Sequence, residues 1–221
     1  MIAALVPVKG LAEAKGRLAA VLSTEERRRL TLAMLADVLT ALLGAASIAC
    51  VAVVSPDPAV LAEAARLGAL GVQEPPGTRG MNAALAHGSS LLVREGAEAL
   101  LVVPADLPAL TVAAVEEAVR ALPSPRGVVI VPSLAGGTSL LAMRPPGAIP
   151  FRFGPRSFTA HKREAAARGL PLRVLRLEPL AMDIDGPGEL LRLAHQEGAE
   201  RTRGLLRELD LVGRLGQREE T

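Results

Sequence analysis

At 221 residues and 22.9 kDa, with half its residues apolar and 22% charged, the chain can bury a full core and lacks the composition of a disordered protein. A net charge of +2 with no basic arm excludes the lysine and arginine stripe that grips a nucleic-acid backbone, so any anion bound should be small. Cys50 is the sole cysteine, which excludes an internal disulfide, and MIAALVPVKG has neither the basic region nor the apolar length of an export signal; a cytoplasmic location is expected.

Taken in chain order, residues 2–8 are a short apolar run that predicts a buried strand, and Ser23-Thr24-Glu25-Glu26 supplies a capping box for a helix running to about Leu43. The uncharged stretch 38–54 is divided by Gly44 and a change to β-branched residues. It therefore reads as a helix end and a strand at 48–54, not a membrane span. Helices are predicted at 59–67, 82–94, 111–122, 157–168, 188–196 and 201–209, and strands at 99–103, 127–131 and 172–177. Strands apolar on both faces and separated by helices imply a three-layer α/β domain, Rossmann-like, with a mostly parallel central sheet, expected to be one domain over 1–221. Ligands of such a sheet bind beyond the carboxyl ends of its strands. Lys9, Ser55, Asp106 and the Gly136-Gly137-Thr138 loop each follow a predicted strand, which puts most of the unusual chemistry on one rim.

The stretch Ala181-Met-Asp-Ile-Asp-Gly-Pro187 carries two carboxylates in an apolar setting. In an extended segment Asp183 and Asp185 point the same way while Ile184 points into the core. A divalent cation resolves their repulsion, and Mg²⁺ takes sites of one or two carboxylates completed by phosphate and water. With Asp106 on the matching rim, the acids could hold one or two ions. Asp185 also has the place of a helix N-cap and Asp106 that of a turn former, whereas Asp183 would be costly to bury without a partner.

Lys9, Lys15 and Arg17 surround a loop after the first strand and suit a triphosphate, although the spacing of a P-loop is absent. Asn82 opens a helix as its cap or contacts a base or ribose. The Thr138 loop and Phe153-Gly-Pro-Arg-Ser157 form a candidate second anion site, in which Gly154 lets the backbone approach and Ser157 begins a helix, as a cap, a ligand contact or both. The histidines have no metal-ligand spacing, and only His161 lies near a proposed site. No order of serine, histidine and aspartate suggests a nucleophilic triad.

The motifs VPVKGLAEAKGRLA, LSTEERRRLTLAMLADVL, GMNAAL, LVVPADLPAL, VIVPSLAGGTSLL, FRFGPRSFTAH and LAMDIDGPGEL span nearly the whole chain. In this order they resemble the 2-phospho-L-lactate or phosphoenolpyruvate guanylyltransferases of deazaflavin coenzyme F(420) biosynthesis. The resemblance implies a nucleotidyltransferase in which a phosphate oxygen of a three-carbon phospho-acid attacks the α-phosphorus of GTP and pyrophosphate leaves. It implies that Asp106, Asp183 and Asp185 chelate Mg²⁺, that Lys15 and Arg17 hold the triphosphate, and that Thr138, Gly154 and Ser157 bind the acceptor. Two ions bridging acceptor, α-phosphate and pyrophosphate suit that chemistry. Ser139 stands where the family pattern leads one to expect asparagine, and Met81 where leucine is usual. A metal-dependent glycosyltransferase and a non-catalytic nucleotide-binding module are the other readings. A homodimer is the general expectation for such a chain.

Overall fold

The apolar runs fold into one sheet. The structure, a computed structural model, describes every residue except Ala181, Glu220 and Thr221. Strands β1 (Ile2–Pro7), β2 (Cys50–Ser55), β3 (Leu70–Gln73), β4 (Ala99–Val102), β5 (Gly127–Pro132), β6 (Thr138–Arg144) and β7 (Leu172–Val174) lie in the order β3-β2-β1-β4-β6-β5-β7. The β1–β2, β1–β4, β2–β3 and β5–β7 pairs are parallel, and β6 runs antiparallel between β4 and β5. The mostly parallel α/β sheet expected from the apolar pattern is present, with two strands that pattern did not predict. β3 is a four-residue edge strand with one buried side chain, too short for alternation to declare itself. β6 makes Thr138, expected in a loop, the first residue of a strand buried along most of its length.

Helices α1 (Thr24–Leu43), α2 (Pro58–Arg66) and α4 (Val112–Ala121) cover one face of the sheet, and α3 (Met81–Arg94) and α5 (Ser157–Ala167) the other. Alternation along β1 divides these two cores: Ala4 and Val6 pack with Leu35, Leu39 and Val115, while Ala3 and Leu5 pack with Leu85 and Leu92. The predicted capping box closes the first turn of α1, where Ser23 Oγ accepts from Glu26 N–H at 3.2 Å and Glu26 Oε2 from Ser23 N–H at 2.7 Å.

A third cluster forms where Leu30 and Met34, on the outward side of α1, meet α6 (Pro187–Ala194), α7 (Glu200–Glu208) and α8 (Leu211–Glu219). Ile184 belongs to this cluster and is 1% exposed. Its burial pins the acidic stretch to the body of the protein. No helix of the described residues is long and apolar enough to cross a membrane.

Candidate active site

From β1 the chain crosses to β2 on one side, while β4 lies against β1 on the other. A crevice opens at the carboxyl ends where strand order reverses, the place where open α/β sheets bind ligands. A cavity of about 370 Å³ fills it, lined by Lys9, Lys15 and Arg17 from the loop after β1 and by Asp106 from the loop after β4. A second cavity of about 360 Å³ shares Arg17, Met81, Asp106 and Asp185, and continues toward Thr138, Gly154 and Ser157. The two anion regions expected from the sequence thus meet at the acids.

The loop after β1 is held by what it buries. Leu11 and Leu18 are at most 1% exposed, and Leu11 N–H donates to Asp57 Oδ2 at 2.9 Å. Between them Lys15 takes a left-handed backbone, φ 51°, a strained choice for a residue with a Cβ. That turn aims its side chain inward: Lys15 Nζ lies 3.1 Å from Asp106 Oδ2 and 3.2 Å from Asp185 Oδ1, and also donates to the carbonyl of Ile184. Arg17 is 80% exposed at its side chain and reaches Asp185 Oδ2 only at 3.5 Å. Lys9 is exposed at the cavity edge.

Residues 182–185 of the acidic stretch form no helix and pair with no strand; their place is set by Ile184, whose N–H donates to the carbonyl of Asp106 at 3.0 Å. With Ile184 buried, Asp183 and Asp185 both line the second cavity, as alternation predicts. Burial raises the Asp183 carboxyl above the usual range, and the charges of Asp106 and Asp185 add to this, opposed by its own backbone N–H and by Lys15. Asp185 is not the cap of α6. Gly186 holds that position, its N–H donating to Glu189 Oε2 at 2.8 Å. Among the described residues no group of three potential ligands forms a ready-made metal cage, and Lys15 stands between Asp106 and Asp185. Ala181, the first residue of the stretch, lies outside the described residues.

Two corrections concern the far cavity. The α5 cap is Arg156, with φ 58°; Ser157 is the first residue inside the helix, 2% exposed, its N–H donating to the Gly154 carbonyl. Asn82 does not cap α3, whose cap is Gly80. Both ends of its amide are taken by one residue: Nδ2 donates to the Phe153 carbonyl at 3.0 Å, and Oδ1 accepts from Phe153 N–H at 2.8 Å. Asn82 clamps the loop carrying Gly154 and Ser157. Gly137 sits in the tight turn before β6, where a Cβ would come 2.9 Å from Ser133 Oγ.

Three further residues take roles here that their sequence positions do not declare. His161 is fully buried, with Nδ1 3.0 Å from Thr138 Oγ1 and Nε2 accepting from Arg152 N–H at 2.9 Å. Ser139 lines the far cavity, is 3% exposed, and its hydroxyl has no partner among the described residues. Glu74 lines a third cavity, of about 240 Å³, shared with Lys9 and Met81; burial raises its carboxyl.

A family model described as "Guanylyl transferase CofC like" matches residues 2–217. A phosphoenolpyruvate guanylyltransferase from Sphaerobacter thermophilus is 48% identical over 192 residues, 86% of this chain and 91% of that protein. A 3-phospho-D-glycerate guanylyltransferase from Phenylobacterium zucineum is 38% identical over 214 residues, 95% and 97% of the two chains. Among solved structures, a nucleotidyl transferase from Methanothermobacter superposes with a TM-score of 0.62 at 16% identity, covering 94% of this chain and 99% of that one. That likeness concerns the fold alone.

Proposed function

The chain belongs to the CofC-like guanylyl transferase family, and we propose that it moves GMP from GTP onto the phosphate of phosphoenolpyruvate, with release of pyrophosphate, as a step in coenzyme F(420) biosynthesis. Relatives at 40 to 48% identity carry that substrate in their names, which favours phosphoenolpyruvate over 2-phospho-L-lactate or 3-phospho-D-glycerate. Membership makes the chain a nucleotidyltransferase, in place of a glycosyltransferase or a non-catalytic module. The observation that carries the proposal is the meeting of two cavities at Asp106 and Asp185, one edged by cations and the other by the hydroxyl-bearing residues Ser133, Thr138, Ser139 and Ser157.

The triphosphate would lie along Lys9, Lys15 and Arg17, and the phospho-acid against Thr138, Gly154 and Ser157. Asp106, Asp183 and Asp185 would hold Mg²⁺; supporting this, Asp183 is half-buried beside two like charges that Lys15 and the exposed Arg17 offset only in part. When bound, one or two such ions neutralise the phosphate oxygens and the leaving pyrophosphate. Lys15 would remain beside the acids and orient them toward the α-phosphate. The acceptor's phosphate is already ionised, so no side chain need remove a proton; the residues position and compensate charge. The whole chain, 1–221, would act as one cytoplasmic domain.

The test is direct. Purified protein with Mg²⁺, each nucleoside triphosphate and each phospho-acid should release pyrophosphate only when GTP and a phospho-acid are both present, fastest with phosphoenolpyruvate. Release of nucleoside diphosphate from a nucleotide sugar, with no pyrophosphate, would overturn the proposal.

A further inference from the structure

We propose that His161 is a positioning residue for the acceptor: it fixes the Thr138 hydroxyl as a hydrogen-bond donor into the far cavity. This deepens the reading above and rests on Thr138 binding the phospho-acid. A backbone N–H can only donate, so the 2.9 Å bond from Arg152 N–H requires Nε2 of His161 to be unprotonated. The neutral ring then carries its proton on Nδ1, which donates to Thr138 Oγ1 at 3.0 Å. With one lone pair of that oxygen taken, the hydroxyl's own proton is left for another acceptor, and none is present among the described residues. Thr138 lines the far cavity beside Ser157 and Gly154. A carboxylate or phosphate oxygen entering there meets a hydroxyl that is already a donor, and avoids the lone pairs of one turned the other way.

The same ring organises the wall. Its Nε2 holds the backbone of Arg152, the Phe153 ring packs edge-on against it with centroids 5.0 Å apart, and Asn82 grips the Phe153 amide from the other side. Arg152 and Phe153 lead directly into Gly154. His161 thus connects β6, α5 and the loop that closes the cavity, through two nitrogens with different tasks.

Those tasks can be separated. In His161→Asn the amide nitrogen falls near the place of Nδ1 and keeps a donor to Thr138. In His161→Gln the longer amide reaches the place of Nε2 and keeps an acceptor for Arg152 N–H. Loss of one oriented hydrogen bond to the acceptor should raise KM for phosphoenolpyruvate about tenfold in His161→Gln. His161→Asn should stay near wild type in that constant, and KM for GTP should hardly move in either. Thr138→Val, which keeps the volume and removes the hydroxyl, should raise the acceptor KM similarly, and combining it with His161→Gln should add nothing further. Equal acceptor KM in the Asn and Gln variants, or additive effects with Thr138→Val, would overturn the inference. If both histidine variants fail to fold, an unchanged acceptor KM in Thr138→Val overturns it equally. Wild-type protein that uses no phospho-acid would instead sink the underlying reading.

Discussion

His161 is fully buried and hydrogen-bonded through both ring nitrogens, and this sets a pH dependence on folding. Its pKa is lowered from 6.5 to about 4, chiefly by burial, with Arg152 also lowering it and Glu164 opposing. The unfolded chain therefore binds this proton more readily than the folded one. The stabilisation is fully present above pH 6.5 and is lost as pH falls through about 4. The shift corresponds to about 3 kcal/mol, an order-of-magnitude figure. Urea unfolding between pH 7 and pH 4 should show the midpoint falling, and His161→Asn should flatten that slope; an unchanged slope would contradict a neutral buried ring. At the same scale Ser139 was legible as a departure but not as a consequence. Its unpartnered buried hydroxyl costs about 1–3 kcal/mol, a penalty that a bound acceptor in the same cavity could relieve. Which side chains share a cavity is not written in their spacing: Thr138 and His161 are 23 positions apart.

Among the elements, helices with strong local signals were read well and marginal ones were not. The capping box at Ser23 is a local device, so four consecutive residues sufficed to place the start of α1. α8 contains Gly213 and Gly216, poor helix formers, and forms against α6 and α7 over the third core. Arg214 ties it to the rest: its guanidinium donates to Glu26 Oε1 at 2.7 Å and to the Val21 carbonyl at 2.8 Å. That bond, with the Ser23 N–H, holds the Glu26 carboxyl down at about 2. A lowered carboxylate contributes stability above its unfolded value, near 4.5, and loses it as pH falls toward 2. Arg214→Ala should therefore lower Tm at pH 7 and have a smaller effect at pH 3, with faster amide exchange in α8. An equal loss of Tm at both pH values would point to lost packing alone. The strand character of β6 is obscured in the sequence by the Gly136-Gly137 turn, which has the composition of a ligand loop, although the apolar run after it also fits a strand paired on both sides.

For the whole molecule, the sheet order decides where chemistry is possible. Placing β4 beside β1 brings Asp106 opposite Lys15, 91 positions away in sequence, and the buried Ile184 brings in Asp185 from the far end of the chain. A site assembled from three distant segments should be linked to global stability. At a hundred times its dissociation constant a ligand of the folded state adds about 2.7 kcal/mol, or about 5–10 °C in Tm for a chain of this size. GTP with Mg²⁺ should raise Tm by more than GTP alone. Asp183→Asn should remove that metal increment and abolish transfer, while the ligand-free Tm stays near or above wild type, since a raised carboxyl gains little from its charge. A full metal increment in this variant would count against the role of Asp183.

The sequence by itself determined the fold class, the rim on which the candidate residues gather, and their types, because apolar periodicity and strand ends are local properties of the chain. Tertiary structure alone decided that Lys15 stands among the acids, that Asn82 serves a loop, and that His161 orients Thr138. Each of these depends on distances across the sheet, and those are set only when the strands have taken their order and the cores on both faces have closed.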